Sequence, residues 1–116
     1  MLEYNDTLTI GDVIRYIASD HERTCILTTS GKKLYGVISQ GDLIKAFWNG
    51  AELISPISNF INPNPISINS DTTNKVNDAI NLFCEFGTLL IPVIDKDRII
   101  KEVLSVRKIL SDNHGK

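Results

Sequence analysis

The sequence predicts an α+β fold made of two copies of one helix-strand-strand-helix unit. The first observation is an internal repeat: Asp12 aligns with Asp78 and Ser39 with Ser105, both 66 positions apart (78 − 12 = 66, 105 − 39 = 66). The second is that segments with helical spacing of apolar residues alternate with short β-rich runs. A unit of about 55 residues is marginal alone. We therefore expect two pseudo-symmetric repeats packed sheet to sheet.

The first copy has clear start and stop signals. A capping sequence at Thr9 to Asp12, followed by apolar residues at helical spacing, predicts a helix from about Ile10 to Ser19. The runs "CILTT" and "KLYGVIS", separated by the turn sequence "SGK", predict a pair of strands. A second helix is expected from about Gln40 to Asn49, with Gly50 as its stop.

The second copy repeats this order. Its helix is predicted from about Asn74 to Glu85, its strands at "LLIPVID" and "RIIKEVL", and its last helix from near Ser105. Between the copies, three prolines forbid a continuous helix, but apolar residues predict an ordered connector in which "PISNFI" docks and "PISI" is extended. We divide the chain into repeat 1, residues 1–58, and repeat 2, residues 59–116, as one folding unit.

Composition excludes several classes of function. The 116 residues carry a net charge of −2 with scattered Lys and Arg, so a nucleic-acid partner is not expected. No apolar run approaches the roughly 20 residues of a membrane span, and the N-terminus is not a signal peptide, which predicts a cytoplasmic protein without membrane contact. Cys25 and Cys84 lie in apolar surroundings without CxxC spacing and are expected to be reduced and buried. No metal site is predicted.

The stretch "GVISQGD", Gly36 to Asp42, allows two interpretations. The spacing S-x-x-D before an apolar run is a capping box, in which Ser39 and Asp42 bind free N–H groups at the start of a helix. A carboxylate at this place can also accept hydrogen bonds from a ligand, and the two roles are compatible because Ser39 can cap the helix while Asp42, at its third position, turns outward. No nucleophile elbow, P-loop or GxGxxG is present, so the chain is not predicted to be an enzyme.

At these residues the sequence resembles the CBS domain in its tandem form. "LYGVISQGDLIKAF" matches the family pattern G-h-h-[ST]-x-x-D at Gly36, Ser39 and Asp42, and "LLIPVIDKDRII" matches the pattern h-P-V-h-D at Pro92 and Asp95. The resemblance implies a regulatory module that needs no cofactor and binds an adenosine compound such as AMP, ADP, ATP or S-adenosylmethionine.

The resemblance also implies the site residues of the first copy. Asp42 would hold the ribose and Ser39 would lie near the phosphate. The segment leading into the second copy would meet adenine through Asn62, Asn64 and Ile66. His21 and Arg23, just before the first strand, are candidate phosphate partners, with a solvated polar loop as the alternative.

The second copy departs from the family pattern. Glu102 replaces Gly36 and Lys108 replaces Asp42, so only Ser105 remains. Ser105 and Lys108 are therefore a weak second site, in which Lys108 would contact a phosphate or simply be solvated. We expect one competent adenosine site rather than two.

A narrower resemblance concerns "SQGDLIKAFWNGAELISPISNFINPNPISI", which is similar to CBS pairs attached to bacterial sugar-phosphate nucleotidyltransferases and arabinose-5-phosphate isomerases. The position of Met1 just ahead of the first repeat favours the nucleotidyltransferase arrangement. The implied partners are a catalytic domain outside this chain and a second copy, bound through the CBS helices as a homodimer. The alternatives are a ligand-free dimerisation module and the CBS pair of an isomerase. Trp48 is expected in the core or at a dimer interface rather than stacked on a base.

Overall fold

The computed structural model of the chain describes residues 1–20 and 22–114. Within these residues it forms an α+β fold with six strands and four helices, in agreement with the predicted class. In chain order they are β1 (Leu2–Glu3), α1 (Ile10–Asp20), β2 (Thr24–Thr29), β3 (Lys33–Ser39), α2 (Gln40–Trp48), β4 (Ile68–Asn69), α3 (Lys75–Phe86), β5 (Leu90–Ile94), β6 (Ile100–Ser105) and α4 (Val106–His114).

The chain divides into two compact units, unit 1 (Met1–Pro65) and unit 2 (Ile66–Lys116). Each contains one three-stranded sheet, with strand order β1-β2-β3 in unit 1 and β4-β5-β6 in unit 2. In both sheets the first strand pairs in parallel with the central strand, and the other two strands form an antiparallel hairpin.

The two units repeat each other residue by residue. Cys25 pairs with Ile38 in unit 1, and Ile91 pairs with Leu104 in unit 2, so both strands are displaced by 66 positions (91 − 25 = 66, 104 − 38 = 66). The irregularity in each hairpin also recurs at the same displacement, after Leu27 and after Val93. The gapless repeat read from the sequence is therefore confirmed at the level of strand register.

Each unit has its own apolar core, formed where its helices cover one face of its sheet. In unit 1 the buried residues come from the segment before α1, both helices, β2, β3 and the connector: Leu8, Ile10, Val13, Cys25, Leu27, Ile38, Leu43, Ala46 and Ile57. In unit 2 they are Ile68, Ala79, Ile91, Val93, Leu104 and Ile109. Each of these six residues lies 66 positions after a member of the first set or after a residue packed against it, because both units use the same pattern of apolar positions.

One expectation about buried side chains is wrong. Cys25 is buried as predicted, but Cys84 is exposed, because α3 turns only Ala79 fully inward and leaves Val76 and Ile80 partly exposed on the helix side that also carries Cys84. Of the two places expected for Trp48, the core is excluded, since its side chain is 89% exposed at the end of α2, and the dimer interface stays a prediction.

The connector packs on unit 1. Ile57 is fully buried in its core, with Phe60 and Ile61 packed against it, which confirms the docking predicted for "PISNFI". The backbone N–H of Val37 donates to the Asn62 carbonyl at 2.9 Å, and the Asn62 N–H donates to the Val37 carbonyl at 2.8 Å. Because of this pairing, unit 1 extends to Pro65. The division between repeat 1 and repeat 2 after residue 58 stays a prediction.

Gly36 makes this pairing sterically feasible. A Cβ at Gly36 would lie 2.4 Å from Ile61 Cγ2 and 2.6 Å from the Asn62 carbonyl oxygen. The second of these atoms belongs to the backbone, so a rotamer change cannot relieve the contact. The glycine of the family pattern thus has a structural role in the close approach of the connector to β3.

We expect Gly36→Ala to lower the free energy of unfolding by roughly 1–3 kcal/mol, as overpacking in a closed space does. Gly41→Ala is the matched control, since its Cβ would meet only Ser39 Oγ at 3.7 Å. Gly41 lies in α2, where alanine is favoured, so this variant should be neutral or up to about 1 kcal/mol more stable. Urea unfolding of both variants tests the point; equal stability of Gly36→Ala and wild type would contradict it.

Candidate functional site at the start of helix α2

The sequence GVISQGD forms the end of β3 and the first turn of α2. Ser39 is the N-cap residue, in an extended backbone conformation, and its Oγ accepts from the Asp42 N–H at 3.1 Å. Asp42 Oδ2 accepts in return from the Ser39 N–H and from the Ser39 hydroxyl, both at 2.9 Å. The capping box predicted here is confirmed.

All three of these hydrogen bonds use one carboxylate oxygen or the serine hydroxyl. Among the described residues, none donates to the other oxygen, Oδ1, and the Asp42 side chain is half-buried rather than enclosed. Asp42 can therefore complete the capping box and still present an acceptor outward. Because one oxygen serves the cap and the other faces outward, the structural and the ligand-binding interpretations of Asp42 are compatible.

A capping box of the same kind starts α1. The Thr9 N–H donates to Asp12 Oδ2 at 2.9 Å, and the Asp12 N–H donates to Thr9 Oγ1 at 3.2 Å. The family pattern does not extend to Asp12, so its carboxylate provides an internal reference for what capping alone does.

The backbone amides of the first turn of α2 are not all satisfied internally. The Gln40 N–H donates to the Arg23 carbonyl at 2.8 Å, and the Asp42 N–H is bound by Ser39. The N–H of Gly41 has no acceptor among the described residues. One backbone donor at a helix N-terminus thus remains available to an anion, beside the Asp42 carboxylate.

The connector approaches this turn from β3. Val37, which pairs with Asn62, lies two residues before Ser39 on the same strand. The Asn62 side chain accepts from the Asn64 N–H at 3.0 Å, which fixes the bend between these residues, and both asparagines are exposed. The structure therefore collects Ser39, Asp42, the Arg23 backbone and the asparagine turn in unit 1.

Three further site predictions have different outcomes. The Arg23 side chain is exposed beside β2. Ile66 is the first residue of unit 2, and its role stays a prediction. His21 lies outside the described residues. The sequence did not identify the Gly41 N–H as a candidate donor, because a glycine at that position indicates only flexibility. The N–H can be recognised as available to a ligand only when the acceptors of the neighbouring N–H groups are known.

The second copy preserves the cap but not the acid. The Lys108 N–H donates to Ser105 Oγ at 2.9 Å, so Ser105 caps α4 as Ser39 caps α2. Lys108 occupies the place of Asp42 and is exposed, as is Glu102 at the place of Gly36. Unit 2 thus has no ribose acceptor at this position.

The residues of the second family pattern have structural roles. Asp95 Oδ1 accepts from the N–H groups of Ile99 and Asp97 at 3.0 and 2.9 Å, which closes the β5–β6 turn.

Pro92 is fully buried in the central strand. The Ser70 N–H donates to the Ile94 carbonyl, so the backbone N–H and C=O of Ile94 point toward β4. Because these groups alternate in direction along a strand, the backbone of Pro92, two residues earlier, also faces β4. Because β4 begins opposite Val93, the missing N–H of proline removes no ladder bond.

Two apolar grooves of unit 1 lie along the helices. One, of about 310 Å³, is formed between α1 and α2, and the other, of about 450 Å³, between α1 and the Leu53–Ile54 segment. Neither is lined by Ser39 or Asp42. Unit 2 has a polar depression of about 360 Å³ between β4 and α3.

Within the described ranges, no helix is long and apolar enough to cross a membrane.

Comparison with known proteins places this geometry in a family. Residues 5–49 match the model of the CBS domain. No curated protein sequence matches the chain significantly. Among solved structures, the chain is similar to a CBS domain protein from Pyrobaculum aerophilum in complex with AMP, with a TM-score of 0.74 and 22% identity over 99% of this chain and 92% of that one.

Two other solved structures have the same fold. One is the protein AcuB from Vibrio cholerae, with a TM-score of 0.80 and 20% identity over 99% of this chain and 82% of that one. The other is the CBS domain pair of protein MJ0100 in complex with 5′-methylthioadenosine and S-adenosylmethionine, with a TM-score of 0.76 and 16% identity over 97% and 90% of the two chains.

The first repeat is thus a CBS domain, and the chain as a whole has the fold of a tandem CBS domain pair. The resemblance inferred from GVISQGD and from the repeat is confirmed.

Two carboxylates predict how the fold responds to acid. Backbone hydrogen bonds, chiefly from Thr9, lower the pKa of Asp12, and those from Ile99 and Asp97 lower the pKa of Asp95. A lowered pKa adds stability above the ordinary value of 3.8, and this stability is lost as the pH falls through the folded-state pKa. We expect the free energy of unfolding to decrease below about pH 4.

Asp95→Asn provides the test, because asparagine keeps the oxygen that accepts from Ile99 but cannot ionise. Its unfolding free energy, measured by urea denaturation from about pH 7 to about pH 2.5, should fall less steeply with acid than that of the wild type. Parallel curves for the two proteins would show that Asp95 makes no such contribution.

Proposed function

We propose that unit 1 binds an adenine nucleotide at the start of α2 and that binding regulates a catalytic domain or partner enzyme. The observation that carries the proposal is the state of Asp42, whose Oδ2 closes the capping box while Oδ1 has no donor among the described residues. The AMP, methylthioadenosine and S-adenosylmethionine complexes of proteins with this fold support an adenosine ligand.

In this proposal each group has a chemical task. Asp42 Oδ1 accepts a ribose hydroxyl, as acidic residues do in dinucleotide sites. The Gly41 N–H donates to a phosphate oxygen at the positive end of α2, and Arg23 and His21 are the phosphate partners among the side chains. Asn62, Asn64 and Ile66 contact the adenine. Since Lys108 replaces the aspartate in the second copy, Ser105 and Lys108 contribute at most a phosphate contact, and one adenosine is bound per chain.

A thermal-shift and calorimetric titration with AMP, ADP, ATP and S-adenosylmethionine, with GTP as the specificity control, tests the proposal. A ligand at about 100 times its dissociation constant should add roughly 2.7 kcal/mol, which raises the Tm by several degrees. Asp42→Ala should weaken binding at least 10-fold, as the loss of a charged hydrogen-bond acceptor does.

Asp12→Ala is the matched control, because it opens the same kind of capping box in the same unit and leaves Asp42 intact. Both variants should lose stability, because each removes the acidic partner of a capping box. Only Asp42→Ala should lose the ligand response. If no adenine compound shifts the Tm of the folded wild type, or if both variants bind equally well, the assignment of Asp42 to a ribose is wrong.

The identity of the regulated enzyme rests on sequence resemblance. We propose a sugar-phosphate nucleotidyltransferase, with a sugar-phosphate isomerase as the alternative, and an allosteric coupling of the usual 1–3 kcal/mol, about 5- to 150-fold. Coupling of this kind is reciprocal for binding, so substrate analogues of the enzyme should change the nucleotide affinity by the same factor.

A second candidate function is supported by the exposed apolar residues on the helices of unit 1, above all Trp48. We propose that the chain forms a homodimer through its helices. Should nucleotides fail to bind, a ligand-free dimerisation module is the remaining function.

A further inference from the structure

The polar depression of unit 2 lies outside the site described above. It has a volume of about 360 Å³ and lies between β4 and α3. Its lining includes two hydroxyl side chains, two carboxamides, one carboxylate and one large apolar side chain: Ser67, Thr72, Asn69, Asn81, Asp78 and Leu82. The volume lies near the lower end of the roughly 300–1,000 Å³ of small-ligand sites, so the depression can hold a small molecule.

The Asp78 carboxylate has lost the helix cap that its counterpart in unit 1 makes. Asp12, 66 positions earlier (78 − 12 = 66), accepts from the Thr9 N–H at 2.9 Å and closes the capping box of α1. At the position of Thr9, unit 2 has Lys75 (75 − 9 = 66), which lies inside α3. The N-cap of α3 is instead Asn74, which makes no side-chain cap hydrogen bond. The Asp78 carboxylate is therefore not used to start its helix.

The cation that accompanies this carboxylate in unit 1 is also missing from unit 2. In α1 the Arg15 guanidinium lies 3.8 Å from the Asp12 carboxylate, one helical turn away. The position that corresponds to Arg15 is Asn81 (81 − 15 = 66), whose side chain is neutral. Among the described residues, none forms an ion pair or a side-chain hydrogen bond with the Asp78 carboxylate. Unit 2 thus keeps the carboxylate of this pair without the guanidinium.

The space beside the carboxylate differs between the units as well. Tyr16 of α1 reaches the start of the chain, where its hydroxyl accepts a hydrogen bond from the Met1 ammonium group. Leu82 stands at the position of Tyr16 (82 − 16 = 66), and Ser67 stands at that of Met1 (67 − 1 = 66). Because leucine is shorter than tyrosine and has no hydroxyl, it cannot make the same bridge to Ser67. The depression therefore lies where unit 1 has the tyrosine ring.

The lining favours a cation over an anion. Asp78 is the only charged residue in it. The Asp71 N–H donates to Asn69 Oδ1 at 2.8 Å, which orients that carboxamide. In the part of the chain that the structure describes, the Asn81 carboxamide and the two lining hydroxyls have no hydrogen-bond partner. These groups supply oxygen acceptors beside the carboxylate, and a guanidinium has five N–H donors to share among them.

We propose that the polar depression of unit 2 binds a small guanidinium compound, which pairs with Asp78 and takes the place that Arg15 has in unit 1. Guanidinium and carboxylate match in geometry and can form two parallel hydrogen bonds. The Asn81 carboxamide accepts from a further N–H group, and the aliphatic part of the ligand packs on Leu82. The site shares no residue with the proposed adenosine site and does not depend on it.

Propylguanidinium, which is the arginine side chain as a free molecule, is the probe, and propylurea is its neutral isostere. Propylguanidinium should bind with a dissociation constant on the order of 1 mM, since exposed ion pairs are weak. Propylurea should bind roughly 10-fold more weakly or worse, because it lacks the charge. In titrations followed by amide NMR, the largest shifts should occur at residues that line the depression: Asn69, Thr72, Asp78 and Asn81.

Asp78→Asn keeps the shape of the side chain and removes its charge, so it should weaken the binding of propylguanidinium roughly 10-fold or more. Asp71→Asn is the matched control, because it removes the same charge from an exposed residue of unit 2 outside the depression. It should change the dissociation constant by less than about threefold, since a solvated charge outside the site is largely screened. Circular dichroism should show both variants folded.

Asn81→Arg rebuilds the ion pair of α1 within unit 2. Its guanidinium lies one helical turn from Asp78 and occupies the carboxylate part of the time, so the probe should bind about threefold more weakly or worse. An arginine within a short peptide should bind no more tightly than propylguanidinium.

Equal binding of the two probes, absence of saturable binding, or unchanged binding by Asp78→Asn or Asn81→Arg would overturn the inference. An equal loss in Asp71→Asn would overturn it too, because the attraction would then come from the net negative charge alone. Tighter binding of the arginine peptide would overturn the assignment to a small molecule. Titration of Asp78→Asn with AMP keeps the two proposals separate, since this variant should respond to AMP as the wild type does.

Discussion

The organisation of unit 1 depends on one pair of backbone hydrogen bonds, between Val37 and Asn62. They hold the connector on β3 two residues before the first turn of α2, and they exist only because Gly36 has no side chain. Once the connector is fixed there, its asparagine turn begins at the residue that pairs with Val37. A single steric constraint therefore determines both where the compact unit ends and which segments meet at the candidate site.

The chemistry of that site depends on how few hydrogen bonds the capping box requires. A carboxylate in the first turn of a helix is needed for only one of its oxygens, and a serine hydroxyl satisfies one amide. Asp42 and Gly41 therefore retain an acceptor and a donor side by side after the helix start is complete. Asp12 shows that the same cap forms where no ligand pattern exists, so stability and recognition can be separated by mutation.

The sequence was sufficient to predict the class of fold, the order and approximate bounds of the helices and strands, and the displacement of 66 positions, because periodicity and repetition are properties of the residue pattern alone. The capping residues at the starts of α1 and α2 could also be predicted from the sequence. The sequence did not predict which way Cys84 and Trp48 face, because apolar neighbours in the sequence do not determine which side of a helix faces the core. Nor could Gly36 be recognised as a steric necessity, since the atoms that require it are on Ile61 and Asn62, far along the chain.

Pro92 has a consequence for the edges of the sheets. Where β4 stops covering β5, the central strand offers no N–H, so an incoming chain cannot extend that parallel pairing backwards. On β3 the corresponding vulnerability is covered by the connector, and β6 carries the charged Lys101 and Glu102. Such devices are the usual defence of β proteins against amyloid-like growth through open strand edges. At these positions the sheets are poor templates for foreign strands, which helps the chain stay available for reversible contacts.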